Sequence, residues 1–169
     1  MATSLFAPAF WHHLWATFRL LDACDGLTPE QLASAVPGTY GSIIDTLRHI
    51  VGADRSYLAF LSGDAIERID EDAMNLAELR SVMEANTPLW ESVLAGAADP
   101  DLVMVRHYDD GRQLRAPLGL RLAQVVHHGT DHRSQVATAL TNVGIEPPAM
   151  DAWDWGEALG TVVEVPAPG

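Results

Sequence analysis

Apolar residues recur at helical spacing in four long segments of the chain, residues 6–25, 42–63, 75–98 and 117–144. In the first segment Phe10, Leu14 and Leu21 fall on one helix face, because residues three or four positions apart lie one above the other. Glycine, proline or polar capping residues stand near the ends of the segments, as is typical of helix termini. The pattern predicts an all-α protein, a bundle of four amphipathic helices.

The pattern changes from helical to β-like between the third and fourth predicted helices. Residues 102–108 and 112–116 are rich in β-prone side chains, and Asp109-Asp110-Gly111 lies between them. An Asp-Gly pair between such segments indicates a hairpin turn, so we expect a small β-hairpin insertion before the last long helix. Pro88 lies inside the third segment and should kink that helix or mark a boundary. The acidic residues 64–72 are expected to form a linker.

Length, charge and cysteine content limit the class of protein. A chain of 169 residues fits one domain, which we assign to residues 1–169. A formal net charge of −13, with ten lysines and arginines, opposes binding to nucleic acid or to an anionic membrane surface. The single cysteine, Cys24, excludes an internal disulfide. No stretch resembles a leader or a membrane span, and these features favour a cytoplasmic protein with a small-molecule substrate.

The fourth predicted helix carries three clustered histidines, which helical phase separates into two classes. At about 100° per residue, His128 and His132 lie on the flank of the apolar stripe, whereas His127 lies roughly opposite it. Imidazoles four positions apart share a helix face and can bind one metal ion. The alternative is a pair of half-buried histidines that only form hydrogen bonds. His127 is expected to be solvated.

Two histidines leave a metal site incomplete, so a neighbouring helix must supply a third ligand. His49 is a candidate, because it lies in the middle of the second predicted helix at the border of its apolar face. Helical phase alone fits a ligand and a surface histidine equally well. The choice therefore stays open on the residues alone.

Three motifs in this order resemble the DinB/YfiT-like superfamily of bacterial metal-binding proteins. They are Asp45-Thr46-Leu47-Arg48-His49-Ile50, then His128-x-x-x-His132-Arg133-x-Gln135, and finally Pro147-Pro148-x-x-Asp151-x-Trp153-Asp154-Trp155. The resemblance implies a four-helix bundle with up-down-down-up order, often a homodimer. By position it assigns the metal ligands to His49, His128 and His132. The resemblance implies zinc or nickel, and imidazole ligands suit both ions.

Three functions follow from a site of this kind. The resemblance implies a thiol-dependent S-transferase, in which the ion activates the thiolate of a small cofactor such as bacillithiol or mycothiol. The second possibility is a metal-dependent hydrolase, although the sequence offers no glutamate in an HExxH arrangement to serve as base. The third is a non-enzymatic, stress-associated metal-binding protein. Three ligands leave a coordination position open, which favours an enzyme.

Other polar residues are weaker candidates for the site. Asp54 is expected either to support His49 or to pair with an arginine. His13 is expected at the edge of the core, and His107 in the hairpin has no evident partner. Asp131 and Arg133 flank His132, so each points at a substrate or is a solvated helix residue.

The first helix has more apolar surface than one bundle stripe requires. Trp11 and Trp15 widen its apolar arc beyond a single face. Either the aromatic tail, residues 150–163, folds back over this surface, or a second copy of the chain covers it. The family resemblance favours a symmetric homodimer.

Overall fold

A computed structural model describes residues 6–63 and 65–165. Most of these residues are helical, and a small antiparallel hairpin is inserted before the last long helix. The four long helices are α1 (Ala7–Cys24), α3 (Ile43–Leu61), α4 (Leu76–Gly96) and α5 (Leu118–Asn142). Two short helices, α2 (Pro29–Leu32) and α6 (Ala152–Ala158), and a 3₁₀ turn, Glu71–Ala73, complete the helical elements. The predicted helical class and hairpin are confirmed.

Local capping explains where two of the long helices begin. The Ser42 hydroxyl accepts the backbone N–H of Asp45 at the start of α3, at 3.2 Å. At the start of α4, Asn75 and Glu78 form a reciprocal capping box, which pairs two N–H groups that lack a helical acceptor. Both helices therefore begin where their sequence signals predict.

The long helices pack around one apolar core. Helices α1 and α3 each pack against both α4 and α5, and the rings of Phe10 and Trp90 meet at a centroid distance of 4.8 Å between α1 and α4. Burying such side chains is the main driving force for this arrangement. The largest fully buried residues are Phe10, Leu20, Leu21, Ile43, Leu47, Ile50, Leu58, Leu79, Met83, Trp90, Leu122 and Leu140.

Helix α4 continues through Pro88, so of the predicted kink or boundary at this residue, the boundary is wrong. A proline removes the hydrogen bond to the carbonyl four residues earlier, here that of Glu84. Both Pro88 and Glu84 are exposed, and water can therefore satisfy the freed carbonyl.

The hairpin consists of β1 (Val103–His107) and β2 (Gln113–Pro117), with Val103 opposite Pro117. Gly111 closes the turn with a φ of +83°, a conformation that favours glycine. The buried guanidinium of Arg121 donates to the carbonyls of Met104 and Leu114, one on each strand. Arg121 therefore anchors the hairpin to α5.

The C-terminal tail contains a helix that hydrophobic periodicity did not predict. Asp151 caps α6 through a capping box with Asp154, and α6 packs against α1. The His12 ring lies 2.8 Å from the carbonyl oxygen of Met150 and near the ring of Trp155. The tail thus covers part of α1 within one chain. Among the described residues, none of the helices combines the length and apolarity that crossing a bilayer requires.

Candidate metal site

Three imidazoles meet where α3 packs against α5. His49 lies on α3, and His128 and His132 lie one turn apart on α5. One nitrogen of each ring lies within 4.8 Å of a nitrogen of both others, and the Nε2 atoms of His49 and His128 are 3.0 Å apart. All three residues are partly buried. The structure therefore brings the three residues proposed from the sequence within reach of a single ion.

The helical phase of α5 decides which of its histidines enters this cluster. His127 is exposed, whereas Gly129 is buried against the core. His128 and His132 lie between the exposed face of α5, which carries His127, and its buried face, which carries Gly129, as the spacing of the apolar residues predicts. The expectation that His127 is solvated agrees with its exposure.

Gln135 sets the orientation of His132. The Gln135 Oε1 atom accepts the backbone N–H of Tyr40 at 2.7 Å, and it lies 3.2 Å from Nδ1 of His132. A carbonyl oxygen only accepts, so Nδ1 of His132 carries the proton and Nε2 is left with a free lone pair. Such a contact is typical of metal-ligating histidines.

The ring of Tyr40 covers the outer side of the cluster. It stacks on His49 with a centroid distance of 4.0 Å and meets the edge of His132 at 5.3 Å. Its side chain is 56% exposed, so it shields one side of the histidines while facing solvent itself. Tyr40 could not be predicted from the sequence pattern, because it lies in a loop where helical periodicity does not apply.

Burial and mutual repulsion keep two of the imidazoles neutral. Burial, and then the neighbouring His132 and His49, lower the pKa of His128 to about 4. The pKa of His49 is also lowered, first by burial and then by His132, against an opposing effect of Glu71. Neutral imidazole is the form that binds a metal ion, so these two side chains are in the binding form at neutral pH.

This electrostatic arrangement predicts that the metal-free protein loses stability in acid. The pKa of His128 is about 4 when folded and 6.5 ordinarily, so the unfolded chain binds the proton more tightly. The contribution of His128 to stability is complete above pH 6.5 and is lost as the pH falls from about 6.5 to 4. Urea unfolding across this range, with chelator present, should show a shallower pH dependence in His128→Ala than in the wild type. Equal slopes would contradict the low pKa.

The carboxylate of Glu71, for which the sequence holds no strong signal, lines the same cleft as His49. The segment expected to be a linker ends in the 3₁₀ turn, which packs against α3. This contact places the Glu71 side chain against Gly52, where any Cβ would overlap the carboxylate. The missing side chain at Gly52 therefore makes room for Glu71. A cleft of about 320 Å³ is lined by Tyr40, Gly41, Asp45, His49, Glu71 and Asp72.

The structure corrects the expectations for Asp54, His13 and Arg133. Asp54 neither contacts His49 nor pairs directly with an arginine; its carboxylate lies 3.0 and 3.1 Å from Nε2 of His13. Nδ1 of His13 accepts from Arg133 at 2.7 Å. All three are buried, so His13 is in the core and Arg133 is not solvated. The sequence pattern could not predict the contacts of these three residues, because the residues lie on three helices that are distant in sequence.

The two remaining weak candidates lie away from the cluster. Asp131 is exposed on α5. The His107 ring lies in the hairpin, 3.4 Å from the amide of Gln113. Neither is brought to the three histidines.

The chemistry of the donors fits a divalent ion. Three partly buried imidazoles converge, two of them with lowered pKa values and one with Nδ1 tied to Gln135. Nitrogen donors of this kind suit zinc and nickel, and they offer nothing that would favour calcium or magnesium, which prefer oxygen. The geometry is compatible with metal binding.

Comparisons with known proteins agree with this architecture. A DinB-like protein from Bacillus cereus ATCC 10987 superposes with a TM-score of 0.62 at 17% identity, covering 89% of this chain and 100% of that one. A DinB family member from Shewanella denitrificans gives a TM-score of 0.64 at 15% identity, covering 97% and 96%. No curated protein sequence matches significantly. The model of the DinB family matches residues 1–158, and the chain therefore belongs to the DinB family.

Proposed function

We propose that this protein binds one divalent ion, zinc or nickel, through His49, His128 and His132, and that it is a thiol-dependent S-transferase. The convergence of three imidazole nitrogens from two helices carries the proposal. Among the described residues, the group within mutual reach consists of these three side chains, which leaves a coordination position for a ligand from solution. A divalent ion held there lowers the pKa of a thiol that it binds.

The thiol must come from outside the chain. Cys24 is fully buried, and burial raises the pKa of its thiol to about 12. A buried thiol of this kind is inert, because the thiolate is the nucleophile. A low-molecular-weight thiol is therefore the proposed co-substrate, and the cleft beside His49 is where it would enter.

The residues around the histidines would hold the site rather than react. Gln135 keeps Nε2 of His132 free, and the stacked ring of Tyr40 limits the access of water to His49. In the transfer, the thiol loses its proton to solvent and its sulfur forms a bond to an electrophilic carbon of the second substrate. The bond between that carbon and the leaving group breaks, and the leaving group departs with the bonding electrons. The wall of the cleft that carries Asp45, Glu71 and Asp72 would face the co-substrates.

A second candidate function, a metal-dependent hydrolase, is favoured by Glu71. This carboxylate lines the same cleft as His49, and its charge acts on His49 strongly enough to oppose the lowering of its pKa. A carboxylate beside a metal site is a suitable general base for the attack of water on an ester or amide. The lack of an HExxH glutamate therefore does not exclude this chemistry.

One set of assays distinguishes these functions. Elemental analysis of the purified protein comes first. The protein is then assayed for conjugation of small thiols to an aryl halide and for hydrolysis of an aryl ester, each with and without chelator. Chelator-sensitive conjugation that survives Glu71→Gln supports the transferase. Chelator-sensitive hydrolysis that Glu71→Gln abolishes supports the hydrolase, and bound metal with neither activity supports the non-enzymatic alternative.

Gln135→Leu should weaken metal binding by about 10–100-fold, the usual cost of losing a partner that orients a ligand. The change removes the acceptor of the His132 Nδ1 proton, so the ring can turn or change tautomer. Calorimetric titration with zinc measures the effect. Gln124→Leu is the matched control, because Gln124 is exposed on the same helix. Equal affinities of the two variants would contradict the role of Gln135.

We further propose one domain over residues 1–169, with the long helices in up-down-down-up order, and a homodimer. Trp153 on α6 is 70% exposed, although α6 itself packs on α1, and in the proposed homodimer a second chain covers this ring. Light scattering at several micromolar concentrations tests the dimer. A mass of one chain that does not depend on concentration would exclude it.

A further inference from the structure

A buried polar cluster joins α1 to the two helices that carry the three histidines. It consists of His13 on α1, Asp54 on α3 and Arg133 on α5, which are 0%, 3% and 3% exposed. We call these three residues the His13 cluster. Charged side chains are rarely buried to this degree unless they are paired, so the cluster needs an explanation beyond packing.

Hydrogen bonds fix the state of the central imidazole. Arg133 has donors only, so Nδ1 of His13 must accept from it at 2.7 Å. Nε2 of His13 then carries the proton and donates to the carboxylate of Asp54. A neutral ring thus connects a buried cation with a buried anion, and the charges compensate each other.

The cluster is joined to the ligand-bearing parts of the fold. Asp54 lies on the same helix as His49, and Arg133 directly follows His132. Gly129, which directly follows His128, lies so close to His13 that any Cβ there would overlap the imidazole ring. The ring therefore fills a notch in α5 between the two ligand-bearing turns.

We propose that the His13 cluster is a positioning device for the three-histidine site, an inference that rests on the proposed metal binding. Through hydrogen bonds to both α3 and α5, His13 holds the two helices at one rotation and one spacing. That arrangement sets the distance of His128 and His132 from His49. A side chain on the first helix, which supplies no ligand, thus determines the geometry of the ligands.

Two variants of His13 separate positioning from packing. His13→Gln keeps one donor for Asp54 and one acceptor for Arg133, whereas His13→Leu keeps neither. We expect zinc affinity to fall by about 10–100-fold in His13→Leu, the range for losing a residue that orients ligands, and to stay within a few-fold of wild type in His13→Gln. Met83→Ala is the control, because Met83 is fully buried on α4. It should lower stability and leave zinc affinity unchanged.

A metal-free measurement tests the inference independently of the proposed function. In chelator-treated protein, the imidazole nitrogen chemical shifts of His128 and His132 should change in His13→Leu and stay near wild type in His13→Gln and Met83→Ala. If His13→Leu does not fold, Gly129→Ala replaces it, since the added Cβ displaces His13 and removes no polar group.

The two proposals fail in different ways. A wild type that binds no zinc overturns the metal site, and the nitrogen shifts then decide the inference alone. Unchanged shifts and unchanged zinc affinity in His13→Leu, or changes no larger than those in Met83→Ala, overturn the positioning role.

Discussion

Replacing His128 by alanine should abolish the retention of a divalent ion by the purified protein. His128 supplies one of three converging nitrogens, and its Nε2 lies 3.0 Å from that of His49. Two imidazoles without the third form a weak site that chelation or dialysis will empty. The loss of zinc affinity should exceed the 10–100-fold that removal of an orienting partner costs. Elemental analysis and calorimetric titration measure it.

His127→Ala is the matched control for this experiment. It removes the same side chain from the adjacent position of α5, where the imidazole is exposed and outside the cluster. It should keep one ion per chain at wild-type affinity. Loss of metal in His127→Ala with retention in His128→Ala would show that the ligand assignment is wrong.

The elements of the fold were predictable because their signals are local. A repeat of apolar residues, capping by Ser42 and Asn75, and an Asp-Gly turn each involve residues close in sequence. Helix α6 was not predicted, because it is only seven residues long and apolar periodicity cannot develop over so short a segment. Its capping box at Asp151 was the available signal, since Asp154 follows three positions later.

The residues of the candidate site likewise divide into those that a local sequence pattern predicts and those that it does not. Helical phase separated His128 and His132 from His127, whereas His49 needed the family resemblance, since nothing local says which helix packs against α5. Tyr40 reaches the site from a loop and Glu71 from the 3₁₀ turn, and their positions depend on contacts between distant segments. Gly52 was the available signal for Glu71, because a glycine lacks a Cβ and lets another group come close to the backbone.

The largest expected loss of stability comes from Asp54→Asn. This change removes the negative charge that compensates Arg133, whose guanidinium is buried and whose pKa is lowered by that burial to about 10. Removing one of two compensating buried charges costs about 3–5 kcal/mol of unfolding free energy, because an uncompensated charge stays in the interior. Urea unfolding with chelator present measures this cost without a contribution from bound metal.

The double variant Asp54→Asn/Arg133→Met tests the physical cause of this stability loss. If the penalty arises from an uncompensated charge, removing both charges should cost less than the sum of the two single changes, because no buried charge is then left alone. Asp22→Asn is the control, since Asp22 pairs with Arg80 between α1 and α4 at the surface, where such a pair contributes at most about 1 kcal/mol. An additive double variant, or a loss in Asp54→Asn no larger than in Asp22→Asn, would mean that the charges of the His13 cluster do not depend on each other.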